Sequence, residues 1–275
     1  MDAREVRAFA RPDGSLVEVC SLAGNIRAFP NHLHDHYVVG ALKASRRALT
    51  MGGRELHVLE PGDVFLVNPG ESHACDPLDD EPFAYRCANV PVSAVAALAG
   101  VPEAEAPRFA VPVLRDAALF DRADALFARA ASDEGAAVLD ALDALVADLL
   151  EAAVAAAADG SGGPPAPGAL VASARAFIDE RYAERIALED VAAVTGASRY
   201  ALVRAFKREL GITPGRYLAA VRVMHAKSLL EQGRSPVEAA GLAGFADQAH
   251  LGRVFRNVTG LTPARYRAAC GRSAS

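Results

Sequence analysis

The chain has 275 residues, a net charge of −5, four cysteines and no tryptophan, which is length enough for two domains with cores of their own. Cys20, Cys75, Cys87 and Cys270 show no C-x-x-C spacing, which excludes a compact disulfide framework and fits reduced thiols in a cytoplasmic protein. Charge is split: residues 169–275 carry 16 Arg and Lys against 9 Asp and Glu (+7), and residues 1–168 carry 13 against 25 (−12), so a phosphate-binding surface belongs to the C-terminal part.

Residues 1–11 lack the apolar core of a signal peptide. Short strands separated by turns are predicted from 15 to 90. Ser15–Cys20, His36–Gly40 and Asp63–Asn68 are rich in β-branched and aromatic residues, and Gly52-Gly53, Pro61-Gly62-Asp63 and Pro69-Gly70-Glu71 are turn signals between them. The pattern predicts a sandwich or barrel. His32-Leu-His34-Asp-His36 places three imidazoles at alternate positions, on one face if the segment is a strand, and His73 could join them from a neighbouring strand.

The period then changes to helical. Leu119, Ala123, Leu126 and Ala130 share one face, with Phe120 and Phe127 beside them. Val138, Leu142, Leu145 and Leu149 form a stripe on the next helix, which serves either a dimer seam or packing within the chain. Asp140, Asp143, Asp148 and Glu151 interrupt this stretch and exclude a membrane span. Residues 159–168 read D-G-S-G-G-P-P-A-P-G, a linker that few contacts are expected to cross.

From Ala169 on the pattern is helical, with segments 169–182, 188–194, 198–210, 214–232, 236–243, 247–259 and 263–270. Ser198 and Asp247 are expected N-caps. This block contains a duplication. Phe206-Lys207, Gly211, Thr213-Pro214 and Tyr217 return as Phe255-Arg256, Gly260, Thr262-Pro263 and Tyr266, each 49 residues later. Each copy follows a short apolar helix and a glycine turn, the order of a helix-turn-helix. Leu202, Phe206 and Leu210 are the expected buried face of the first recognition helix, and Leu251 and Phe255 that of the second.

Residues 171–269 resemble the DNA-binding domain of the AraC/XylS family, on the segments Ile186–Ala192, Phe206-Lys207, Gly211–Pro214, Ala240–Gln248, Phe255-Arg256, Gly260–Pro263 and Tyr266-Arg267. The resemblance implies seven helices, helix-turn-helix units at 188–210 and 236–259, and a linker helix at 214–232. It implies base-edge contacts from Tyr200, Val203 and Arg204 in the first unit and from Gln248, Ala249, His250 and Arg253 in the second. Ser198 and Arg199 complete the DNA-facing set, and Lys207 and Arg256 are expected on phosphate.

Pro61–Gly70 through His73-Ala74 resembles the cupin-like sensor domain of the same family. The implied fold is an all-β barrel over 1–110, a helical dimerisation region over 111–158, the linker over 159–168 and the DNA-binding domain over 169–275. His32, His34, His36 and His73 are the candidate effector ligands. Metal-binding cupins add a glutamate after the paired histidines, and Tyr37–Gly40 holds no carboxylate, so neither metal nor cofactor is expected. The reading is a DNA-binding activator and not an enzyme, with double-stranded DNA, a small-molecule effector, RNA polymerase and a second copy of the chain as partners. The alternative is a metal-binding cupin, an enzyme or metal sensor, fused to a DNA-binding module.

Overall fold

A computed structural model describes residues 3–25, 28–130, 132, 135–157 and 168–271. Its strands are β1 (Ala3–Ala10), β2 (Leu16–Gly24), β3 (Phe29–His32), β4 (Tyr37–Ala44), β5 (Arg47–Met51), β6 (Glu55–Leu59), β7 (Val64–Val67), β8 (His73–Pro77), β9 (Phe83–Val90) and β10 (Val113–Leu114). They form a six-stranded sheet, β1-β2-β9-β4-β7-β10, and a four-stranded sheet, β3-β8-β5-β6. Every described pairing is antiparallel.

The six-stranded sheet is covered on both faces, which explains why β4 reads Tyr-Val-Val-Gly-Ala-Leu without polar alternation. Val38, Leu42 and Val67 face Leu49, Met51 and Leu59 of the other sheet. Val39, Ala41, Val64 and Leu66 face the helices α1 (Val92–Ala99), α2 (Ala117–Arg129) and α3 (Gly135–Ala157). The stripe Val138, Leu142, Leu145 and Leu149 belongs to that core at 0–1% exposure. It is therefore not available as a dimer seam. Periodicity identified the apolar face correctly, and the chain's own sheet covers it. No helix among the described residues is long and apolar enough to cross a membrane.

Seven helices follow: α4 (Ala169–Arg181), α5 (Leu188–Thr195), α6 (Arg199–Leu210), α7 (Pro214–Glu231), α8 (Pro236–Leu242), α9 (Gln248–Thr259) and α10 (Pro263–Gly271). Each bound lies within a residue of the sequence expectation. The duplicated motif resolves into local rules. Ser198 accepts from the Ala201 N–H at 3.2 Å and Asp247 from the His250 N–H at 2.6 Å, so both recognition helices are side-chain capped. Gly211 and Gly260 close those helices in the left-handed region. Thr213 and Thr262 cap the next helix, and Pro214 and Pro263 open it, where a missing N–H costs nothing.

The linker 159–168 lies outside the described residues except for Gly168. The expectation that few contacts cross it is not met. Leu33, between β3 and β4, joins the core of the first helix-turn-helix, and Ala8 of β1 joins the core of the second. The C-terminus of α6 ends against the barrel. Asn31 Nδ2 donates to the Gly211 carbonyl at 3.1 Å, and the Ser72 hydroxyl donates to the Leu210 carbonyl. The last carbonyls of a helix lack internal partners, and here the barrel supplies them. Gly211 sits at φ +66°, and a Cβ there would lie 2.6 Å from the Gly53 Cα.

Gly211→Ala therefore combines backbone strain with a backbone clash. It is expected to destabilise the full chain by about 1–3 kcal/mol and to increase proteolysis between the domains. Urea denaturation and limited trypsinolysis check this; wild-type values for both would show that the glycine contact does not hold the domains together.

Candidate functional sites

The first site is the outer surface of α6 and α9. Ser198, Arg199, Tyr200, Arg204 and Lys207 are exposed on the first unit, and Gln248, Ala249, Arg253 and Arg256 on the second. Val203 and His250 are half-buried, the latter with its ring edge-on to Phe245 at 5.3 Å between centroids. Val191, Leu202 and Phe206 anchor α5 to α6 in the first unit, and Ala240, Leu251 and Phe255 anchor α8 to α9 in the second. Arg204 lies over the Tyr200 ring at 5.4 Å, and Arg199 pairs with Glu189 at 2.5 Å. Two guanidiniums, Arg204 and Arg253, thus stand at matching positions on two capped helices.

The second site is a cavity of about 100 Å³ between the barrel and α7, α9 and α10. Its lining includes His32, His34, His36 and His73 from the barrel and Met224, Lys227 and Tyr266 from the helical domain. The expected single strand carrying three histidines is not formed. His32 ends β3, His34 and His36 lie in the connection, and β4 begins at Tyr37, because Leu33 turns into the helical core. The imidazoles still converge. His32 pairs across the sheet with His73, the rings 4.4 Å apart, and the His34 ring lies 4.7 Å from His32 and 5.1 Å from His73. His36 stacks on His34 at 4.6 Å. Desolvation and the neighbouring rings hold His34 and His73 well below the usual histidine pKa, so both are neutral near pH 7.

Beside this cluster lies a polar network that the sequence did not disclose. Glu18 of β2 is buried, its carboxylate 3.1 Å from the Lys227 ammonium, and Asn89 Nδ2 donates to it at 2.7 Å. Burial alone would raise its pKa; Lys227, His36 and hydrogen bonds from Tyr266 and Asn89 outweigh that and bring it down to about 2. Burial likewise acts to lower the Lys227 pKa, and Glu18, Asp35 and Glu231 together raise it above the ordinary lysine value. The Tyr266 hydroxyl touches both Glu18 and Glu231. One hydroxyl proton cannot serve two carboxylates. Desolvation raises the Glu231 pKa, so of the two carboxylates Glu231 is the more readily protonated. The available sequence signal was a lysine among Met224, Ala226, Leu229 and Leu230, and a glutamate among Leu16, Val17, Val19 and Cys20.

Both parts of the chain match known proteins. A family model described as a helix-turn-helix domain matches residues 191–269, and one described as an AraC-like ligand binding domain matches residues 17–151. An uncharacterised HTH-type transcriptional regulator of Bacillus subtilis, YbfI, is 34% identical over 241 residues, 86% of each chain. The transcriptional activator RhaS of Klebsiella pneumoniae is 38% identical over 77 residues, 28% of each chain. Among solved structures, an apo form of a ToxT variant from Vibrio cholerae superposes with a TM-score of 0.56 at 12% identity, over 98% of this chain and 97% of that one, a likeness of fold.

The buried pair has a pH signature. Glu18 has a folded pKa of about 2 against an ordinary 4.5, so its contribution is complete above pH 4.5 and is lost as pH falls through about 2. The Lys227 pKa is raised, so its contribution is complete at neutral pH and lost only in strong alkali. Urea denaturation across the acid range is expected to show up to about 3 kcal/mol of stability lost through this pair. Glu18→Gln is expected to flatten that part of the profile, and an unchanged slope would refute the assignment.

Proposed function

The chain belongs to the AraC family of helix-turn-helix transcriptional regulators and is a regulator, not an enzyme; on that premise we propose that it is a cytoplasmic activator controlled by a small molecule entering the cavity between barrel and α7. The observation that carries this reading is the composition of the cavity wall: the imidazole cluster comes from one domain, and Lys227 and Tyr266 come from the other. A ligand touching both sides binds two domain arrangements with different affinity, which is the requirement for a switch.

Size gives the direction. About 100 Å³ holds a few waters. An organic effector larger than that displaces side chains or spreads the barrel from α7. Spreading breaks the Asn31 and Ser72 contacts to the end of α6 and alters how the two recognition helices meet DNA. Neutral imidazoles, which can donate or accept, together with the Lys227 ammonium suit a polar or anionic molecule. A second copy of the chain and RNA polymerase complete the proposed assembly. The dimer surface then lies away from the buried α3 stripe.

On DNA, Arg204 and Arg253 read base edges, Tyr200, Val203, Gln248, Ala249 and His250 adjoin them, and Ser198, Arg199, Lys207 and Arg256 position the backbone. Arg204→Ala and Arg253→Ala are each expected to cost about 1–3 kcal/mol of discrimination at one base pair, while Lys207→Ala weakens all sequences alike. The check is binding to a footprinted operator and its single-base variants. A uniform loss in both arginine variants would remove the base-reading assignment. For the effector, operator affinity with and without candidate metabolites decides, and a response kept intact in Lys227→Met would place the effector elsewhere.

A further inference from the structure

We propose that His32, His34 and His73 bind one divalent transition-metal ion of the zinc, cobalt or nickel class through three imidazole nitrogens. The proposal goes beyond the effector reading and does not depend on it. It also reverses the expectation, drawn from the missing carboxylate after His36, that no metal is held.

Four observations carry it. One ligand nitrogen from each of the three histidines lies within 4.8 Å of the others. Metal–nitrogen bonds of about 2.0 Å in tetrahedral geometry set such atoms about 3.3 Å apart, so closure needs ring movements of about 1.5 Å at most. Hydrogen bonds also fix the chemistry of two rings. His32 Nδ1 is 2.9 Å from the Pro30 carbonyl and His73 Nδ1 is 3.3 Å from the Glu71 carbonyl. A carbonyl only accepts, so each Nδ1 carries a proton, and in the neutral ring Nε2 is then the nitrogen with the lone pair. This is the arrangement in which a backbone carbonyl orients a metal-binding histidine.

Rigidity is the third observation. His32 and His73 are a cross-strand pair of β3 and β8, so sheet register sets their approach. The fourth is His36. Its Nδ1 lies 3.0 Å from Asp35, which fixes the proton there, and its Nε2 is buried with no hydrogen-bond partner. A buried ring nitrogen without a partner is costly, and here it belongs to the ring stacked on His34 at 4.6 Å. A three-imidazole set favours borderline ions over calcium or magnesium. Three protein ligands leave a further position, which His36, water or an oxygen of a bound molecule can fill.

The test uses the full chain, stripped with chelator and reloaded with Zn²⁺ or Co²⁺ alone, without DNA or effector. Elemental analysis after desalting is expected to give one ion per chain. The Co²⁺ form is expected to show the visible absorption of a low-coordinate nitrogen site. His34→Ala and His73→Gln should each weaken binding by at least about ten-fold, and His57→Ala should bind as wild type does. Substoichiometric metal in the wild type, or unchanged affinity in both cluster variants, overturns the site. Should either variant misfold by circular dichroism, histidine modification with diethyl pyrocarbonate on wild type decides. Zn²⁺ protection of His32, His34 and His73 supports the site, and protection confined to other histidines overturns it. Because no DNA is present, a failure here leaves the effector reading untouched.

Discussion

A buried charge must be paired, and Glu18 finds its partner in the other domain. The carboxylate stands between Val17 and Val19 in β2, at 5% exposure. Left unpaired it would cost several kcal/mol or take up a proton. Lys227, on a helix 209 residues further along, supplies the counter-charge. The pair ties α7 to the barrel at the cavity they share, with Tyr266 and the imidazole cluster both lining it. The docking of the DNA-binding domain on the sensor domain thus meets an electrostatic need inside the sensor's sheet, beside the apolar contacts of Leu33 and Ala8.

What could be read from the sequence divides along the same line. The seven C-terminal helices, their caps and their turns were legible because each rests on a local rule: serine or aspartate before a helix, glycine after it, threonine and proline opening the next. Of the ten described strands, β2, β4 and β7 were legible from β-branched runs. Partners were not. The α3 stripe showed an apolar face and left open what covers it. His32, His34 and His36 alternate in sequence, yet the strand ends at His32 because Leu33 is drawn into the helical core. His73 was expected to join them from a neighbouring strand, and it does so through the register of β3 with β8.

The duplication itself has diverged in an informative way. Tyr217 and Tyr266 hold the same place in the two copies. Tyr217 stays within its unit, donating to Asp179 of α4 and receiving from Arg175 at 3.0 Å. Tyr266 packs on Phe255 as Tyr217 packs on Phe206, but its hydroxyl reaches into the barrel's carboxylate. One tyrosine closes a core, and its copy spans two domains. Gly211 of the first copy likewise reaches the barrel, where it abuts Gly53.

The end of α6 has a consequence for timing. Its final carbonyls are held by a serine hydroxyl and an asparagine amide, neutral donors for which water is a ready substitute. Exchanging two such bonds for water shifts free energy by only about 1–3 kcal/mol in total, and no covalent bond or proline isomerisation intervenes. A latch of that kind releases and recloses on the scale of domain motions, microseconds to milliseconds. Release and reclosure of the end of α6 therefore require no slow covalent or isomerisation step.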